Sequence, residues 1–232
     1  MHTLAAADPA PSVFAGGSNV IALIVLLLEF GMLRQAMRRD QIRLYAVQSA
    51  AISVLAIIVA AARNLPDLYA LAFCSAAIKV VVVPVVVRRL LPRPGQQGAG
   101  DEIAGSGALS VASTVLVAIV VAAFGFFAIG TLPIRSPILP ITALAIAFAV
   151  VLVAFVLMIL RRDVVSQAIG FFSLENGVSL AALVVAATMP LIFEVVFLFD
   201  LLVAVVVFGL LIRVHHGRAE SLSTSELTSL RG

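Results

Sequence analysis

Apolar residues in this chain fall into seven unbroken runs of about 20, the length that crosses a hydrocarbon core as a helix. The runs predict spans at Phe14–Leu33, Gln41–Ala62, Leu68–Leu91, Ala108–Leu132, Ile138–Leu160, Val164–Ala187 and Leu191–Arg213. Many positions are Val or Ile, which favour strands in water. In lipid, segments this long and continuous must be helices, because a helix satisfies its own backbone donors and acceptors. A membrane β-barrel would instead show alternating segments of about ten residues. Proline marks the breaks: Pro66 after the second run, Pro92 and Pro94 after the third, Pro133, Pro137 and Pro140 before the fifth, and Pro190 between the sixth and seventh. The expected fold is all-α, an integral membrane protein of about seven transmembrane helices.

Composition agrees with that pattern. Charged residues are 12% of the chain, against about 25% in a soluble domain, so there is too little polar surface to cover a water-facing globule. The charges are also unevenly placed. With the N-terminus outside, the cytoplasmic segments hold Arg34, Arg38, Arg39, Arg43, Arg88, Arg89, Arg93, Arg161, Arg162, Arg213, Arg218 and Arg231; the outer loops hold Arg63 and Arg135. Arg-rich loops resist translocation, so this split predicts an outside N-terminus and a cytoplasmic C-terminus in a prokaryotic plasma membrane. It also turns the basic pI of 9.7 away from nucleic acid, since the arginines sit at helix ends. The first run has no basic residues before it and arginines after it, the reverse of a cleavable signal peptide. One cysteine, Cys74, excludes an intramolecular disulfide and reads as a small buried apolar residue. The Ser/Thr-rich tail from Gly217 reads as disordered.

An internal repeat is visible. The tripeptide Arg-Arg-Asp occurs at Arg38–Asp40 and at Arg161–Asp163, each time opening an outward-running helix followed by a returning one that ends in arginine. This predicts two parallel three-helix units. The expected divisions are an N-terminal unit over 1–91, a linker and connecting helix over 92–137, a C-terminal unit over 138–213 and a polar tail over 214–232.

Besides the arginines near the span ends, five ionisable residues are candidates for the membrane interior, where each costs about 2.5–3.5 kcal/mol to insert and so needs a partner, a water cavity or a job. Glu175 is midway through the sixth span, beside Asn176, with Ser173 near and Ser179 one turn on. Such a carboxyl suits a proton relay, or it pins helices together. Asp200 is near the middle of the seventh span and Glu194 nearer its outer end; six residues, about 600° of helix, put them on different faces. Lys79 is mid-span in the third run, with Ser75 a turn before and Pro84 a turn after, and is expected to point inward to a carboxylate of this chain or a neighbour. Glu29, a turn from the cytoplasmic end of the first span, reads as an interfacial partner of Arg34. Gln48, Ser49 and Ser53 read as hydrogen-bonding glue between helices. His215 and His216 read as solvated tail. There is no Walker A loop, GxGxxG, Cys cluster, HExxH or GxSxG, and no intramembrane histidine, so neither a metal nor a redox cofactor is expected.

The stretch SQAIGFFSLENGVSLAAL and, after Pro190, PLIFEVVFLFDLLVAVVVFGLLIRV resemble the C-terminal half of the hydrogenase-4 component E family, membrane subunits of formate hydrogenlyase-type and other group 4 nickel–iron hydrogenases. The specific pieces are Glu175-Asn176-Gly177 and the E-x5-D of Glu194 and Asp200; Gln48-Ser49 and the Lys79…Pro84 pair carry a weaker likeness in the first half. That family is in turn similar to the K-type subunit of complex I and the C subunit of multisubunit sodium/proton antiporters. In those subunits one helix carries a mid-membrane glutamate, matched here by Glu175, and the next often carries a second acid, for which Glu194 or Asp200 could stand. The resemblance implies a non-redox membrane-arm subunit, partnered by antiporter-like subunits, that helps couple electron transfer to proton or sodium movement. Glu175, Asp200 and Glu194 would relay ions, with Lys79 tuning them and Asn176, Ser179 and Gln48 in support. A structural scaffold in the same complex and a stand-alone secondary transporter are the alternatives.

Overall fold

The computed structural model describes residues 12–64, 66–91, 109–132 and 139–185, with Leu202, Val205, Val206, Phe208 and Gly209. These residues form an all-helical bundle: α1 (Ser12–Arg34), α2 (Arg38–Arg63), α3 (Pro66–Ala76), a π-helical segment (Ala77–Val82), α4 (Val83–Leu90), α5 (Val111–Gly130), α6 (Ile141–Leu160) and α7 (Val164–Val185). The segment α3–π–α4 is one continuous span. Six helical stretches are therefore long and apolar enough to cross a membrane, and they coincide with the first six predicted runs. Most of the seventh run, including Glu194 and Asp200, lies outside the described residues, as do Arg93 to Ala108 and the tail. Phe208 is an exception, and packs on Phe171 and Phe172 at ring-centroid distances of 5.9 and 6.0 Å.

Local chemistry sets the ends. Asn64 takes the left-handed conformation (φ 51°) that closes α2, donating its N–H to the Ala60 carbonyl, and Pro66 then opens α3. Ser110 caps α5 by accepting the Ser113 N–H. Asp163 caps α7: its Oδ1 accepts the Ser166 N–H at 2.9 Å and lies 3.3 Å from Arg38 Nε. Arg161 donates to the Leu33 and Gln35 carbonyls at 2.7 and 3.0 Å, satisfying the orphan C-terminal acceptors of α1. Burial lowers the pKa of the Arg161 guanidinium, and the Asp163 carboxylate partly offsets this. Arg38 and Arg161 thus tie the α1–α2 and α6–α7 links together, a structural task beyond the topological one expected of the arginines.

The two Arg-Arg-Asp tripeptides are not equivalent in structure. Arg38–Asp40 is the first turn of α2, whereas Arg161–Asp163 is the link before α7. What matches is the architecture around them: each of the two hairpins turns in three residues, Gln35–Met37 and Arg161–Asp163.

α6 packs against α1, α5 and α7, and α2 packs against α1, α3 and α7. α6 and α7 approach closely because α7 presents glycine: a Cβ at Gly177 would meet the Val151 backbone N at 3.1 Å, and one at Gly170 the Met158 N at 3.3 Å. α2 and α7 run parallel, as the pairs Gln41–Ser166, Gln48–Ser173 and Ser49–Asn176 show. The outer surface is apolar: Leu27, Phe73, Phe124, Phe127 and Ile159 all face away from the bundle. Cys74 also points outward, not into the core as the sequence suggested, because it lies about 100° around the helix from the buried Ser75.

Candidate functional site

The buried residues divide into two hydrophobic clusters along the bundle axis. One, at the arginine-rich end, includes Met32, Ile42, Val87, Leu157 and Val165. The other includes Ala22, Leu55, Val59, Leu68 and Leu183. Between them, α1, α2, the π segment and α7 each turn a polar residue inward at the same level. Four elements thus build one polar layer, closed above and below by apolar side chains.

Lys79 and Glu175 form its charged part. Lys79 Nζ lies 2.7 Å from Glu175 Oε1 and donates to Ser179 Oγ at 2.8 Å. Lys79 is 2% exposed and Glu175 5%, so water screens the pair little. The Ser179 hydroxyl is 3.4 Å from the same Glu175 oxygen, one turn along α7 as the spacing predicted. The inward lysine therefore finds its carboxylate within this chain.

Lys79 reaches it from the π segment. Val83 donates its N–H to the Ile78 carbonyl, five residues back, instead of Lys79 four back. Pro84 follows with no N–H, and its ring would crowd the carbonyl four residues before it in a regular helix. The wide turn relieves that crowding. The irregularity thus lies just before Pro84, around Lys79.

The other part centres on Gln48. Its amide nitrogen donates to Glu29 Oε2 at 2.8 Å and to the Val25 carbonyl at 3.2 Å. Its amide oxygen receives Asn176 Nδ2 at 3.0 Å and lies 2.9 Å from Ser173 Oγ. Asn176 Nδ2 also donates to Ser49 Oγ at 2.8 Å, and Ser173 Oγ is hydrogen-bonded to Glu29 Oε2. Gln48 and Ser49 do join helices as expected; Ser53 instead bonds the Ser49 carbonyl of its own helix.

Glu29 is the residue that sequence reasoning misplaced. It is wholly buried, and its hydrogen-bond partners among the described residues are Gln48 and Ser173, not Arg34. Five residues separate Glu29 from Arg34, about 500° of helix, so Arg34 is exposed on a different face. Folding the hairpin at Gln35–Met37 sets Val25 level with Gln48 and Glu29 about one turn nearer the link, where the Gln48 amide reaches both. The structure also brings Tyr45 beneath this layer, its ring tilted against Phe172 with centroids 5.8 Å apart.

Chemically, the layer offers two carboxyls, one ammonium, and a set of hydroxyls and amides. It holds no group of three or more His, Cys, Asp or Glu side chains that could bind a metal, among the described residues. No family model and no solved structure matches the chain. A protein of Mycobacterium tuberculosis, "Uncharacterized protein Rv0085", is 31% identical over 198 residues, covering 85% of this chain and 86% of the relative. Similarity at this level, running across almost the whole of both chains, places this helical bundle in one family with the mycobacterial protein Rv0085.

Proposed function

We propose that this chain is a non-redox membrane-arm subunit of a complex I-like hydrogenase, contributing its buried charges to proton or sodium translocation coupled to electron transfer elsewhere in the assembly. The observation that carries this reading is the Lys79–Glu175 pair, sealed in mid-bundle at a π distortion. Buried ion pairs are weak devices for stability: well-packed apolar residues of similar volume do as well or better. Irregular helix turns also gather at functional sites. The sequence resemblance to the hydrogenase-4 component E family supplies the kind of assembly; its antiporter-like subunits would be the neighbours, and Glu194 and Asp200 would extend the path through the seventh span.

The scaffold reading has a specific point in its favour, since Lys79 and Glu175 neutralise each other. One experiment separates the two. Lys79→Met with Glu175→Gln removes both ionisable members of the pair without changing the net charge of the layer. In membrane vesicles containing the assembled complex, ion uptake per hydrogen turned over should fall several-fold in this double variant, with turnover itself retained. Undiminished uptake would leave the scaffold as the function. Glu175→Asp, which keeps the carboxyl, should be milder.

The orientation proposed from the arginines has its own test. A periplasmically active reporter fused in the Arg63–Asp67 loop should be active, and one fused after Gly217 inactive. The reverse pattern would invert the bundle in the membrane.

A further inference from the structure

We infer that Glu29 is a second protonatable site in the polar layer and holds its proton there as a neutral carboxylic acid. This deepens the proposed function, adding an acid on α1 to the Lys79–Glu175 pair, and its own basis is a count of hydrogens. The Ser173 hydroxyl touches two acceptors, Glu29 Oε2 and Gln48 Oε1, but has one hydrogen to give. Turning the Gln48 amide round does not help, because it would set an oxygen against the Val25 carbonyl oxygen, which now receives the Gln48 N–H. The count closes when Glu29 brings a hydrogen of its own: Glu29 donates to Ser173, Ser173 donates to Gln48 Oε1, and Gln48 donates back to Glu29 and to Val25.

The surroundings agree. Glu29 Oε1 is buried with no hydrogen-bond partner among the described residues, a heavy cost for a carboxylate and a lighter one for the carbonyl oxygen of an acid. No cation pairs with Glu29 there. Lys79, on the third span, is engaged by Glu175 and Ser179, and Arg34, on α1 itself, faces outward. Among the described residues, the titratable groups on the helices packed against Glu29 at this level are Tyr45 of α2 and Glu175 of α7. Of the two side chains bonded to Glu29, the hydroxyl of Ser173 can take up one proton while releasing another; an amide does so poorly. Ser173 is therefore the exchange partner.

Infrared spectroscopy of the full chain in lipid, in H2O and D2O at neutral pH, tests this without any partner subunit, so its outcome does not depend on ion translocation. The wild-type spectrum should contain a protonated-carboxyl C=O band that shifts in D2O. Glu29→Gln should remove one carboxyl's worth of that band, whereas the Lys79→Met/Glu175→Gln protein should keep it. Ser173→Ala, which deletes one hydrogen bond and leaves the acid, should shift the band without abolishing it, and carries the test if Glu29→Gln does not fold. A spectrum with no such band, or one unchanged by both the Glu29 and the Ser173 substitutions, overturns the inference.

Discussion

Lys79→Met should destabilise the folded bundle by about 3–5 kcal/mol, because it removes the ammonium 2.7 Å from a carboxylate buried between two apolar clusters. Glu175→Gln should have a similar effect, leaving the ammonium with Ser179 and a neutral amide. The informative protein is the one carrying both substitutions. With no uncompensated charge left, it should recover most of the loss, so that the two single effects are far from additive. Unfolding of the purified chain in mixed detergent micelles, followed by circular dichroism, measures all four corners of the cycle. Simple additivity would mean that the 2.7 Å contact is not a coupled pair. The ordinary hydrogen bonds of the layer should matter less: interhelical bonds in membrane proteins average about 0.6 kcal/mol. Charge compensation, more than hydrogen bonding, therefore governs the energetics of this layer.

The second large effect belongs to packing. Gly177→Ala places a Cβ 2.8 Å from Val151 Cγ2 and 3.1 Å from the Val151 backbone nitrogen. A side-chain methyl can rotate away, but the backbone of α6 cannot, so the two helices must separate. A loss of about 2–3 kcal/mol is expected, with Gly177→Val worse. Gly17→Ala is the control: a Cβ there meets nothing within 4 Å, so the change should be neutral or slightly stabilising. Equal effects at the two glycines, in the same unfolding assay, would show that the α6–α7 contact does not depend on Gly177. Because α7 carries Glu175, Asn176 and Ser179 on either side of Gly177, displacing it would also disturb the polar layer.

How much of this was legible in the sequence depends on the range of the interaction. The six described spans were readable from run length, because lipid forces one solution on any apolar segment of that size. The Glu175–Ser179 relation was readable too, since one helical turn fixes it. The partner of Lys79 was not. It lies on α7, and nothing local says which helix faces the third span. The repeat was read from a tripeptide whose two copies occupy different places, one inside a helix and one in a link. The matching feature, two hairpins with α2 running parallel to α7, is a property of packing. Glu29 shows a different failure. Its distance from the helix end suggested the interface, but the direction of its side chain, set by a 100° step per residue, put it in the core.

The buried positions of the third span carry one more consequence. From Ser75 one line of them advances in steps of four, Ser75, Lys79, Val83 and Val87, with Pro84 buried beside Val83. A regular α-helix turns once in about 3.6 residues, so each such step drifts by about 40°, and three would swing Val87 roughly 120° off the inward face. The wide turn at Ala77–Val82 takes up the drift, as a leap day keeps a calendar on its seasons. The aim of Lys79 and the seating of Val83 and Val87 near the arginine-rich end are then one geometric choice, which Pro84 enforces by lacking the N–H that a regular path would use.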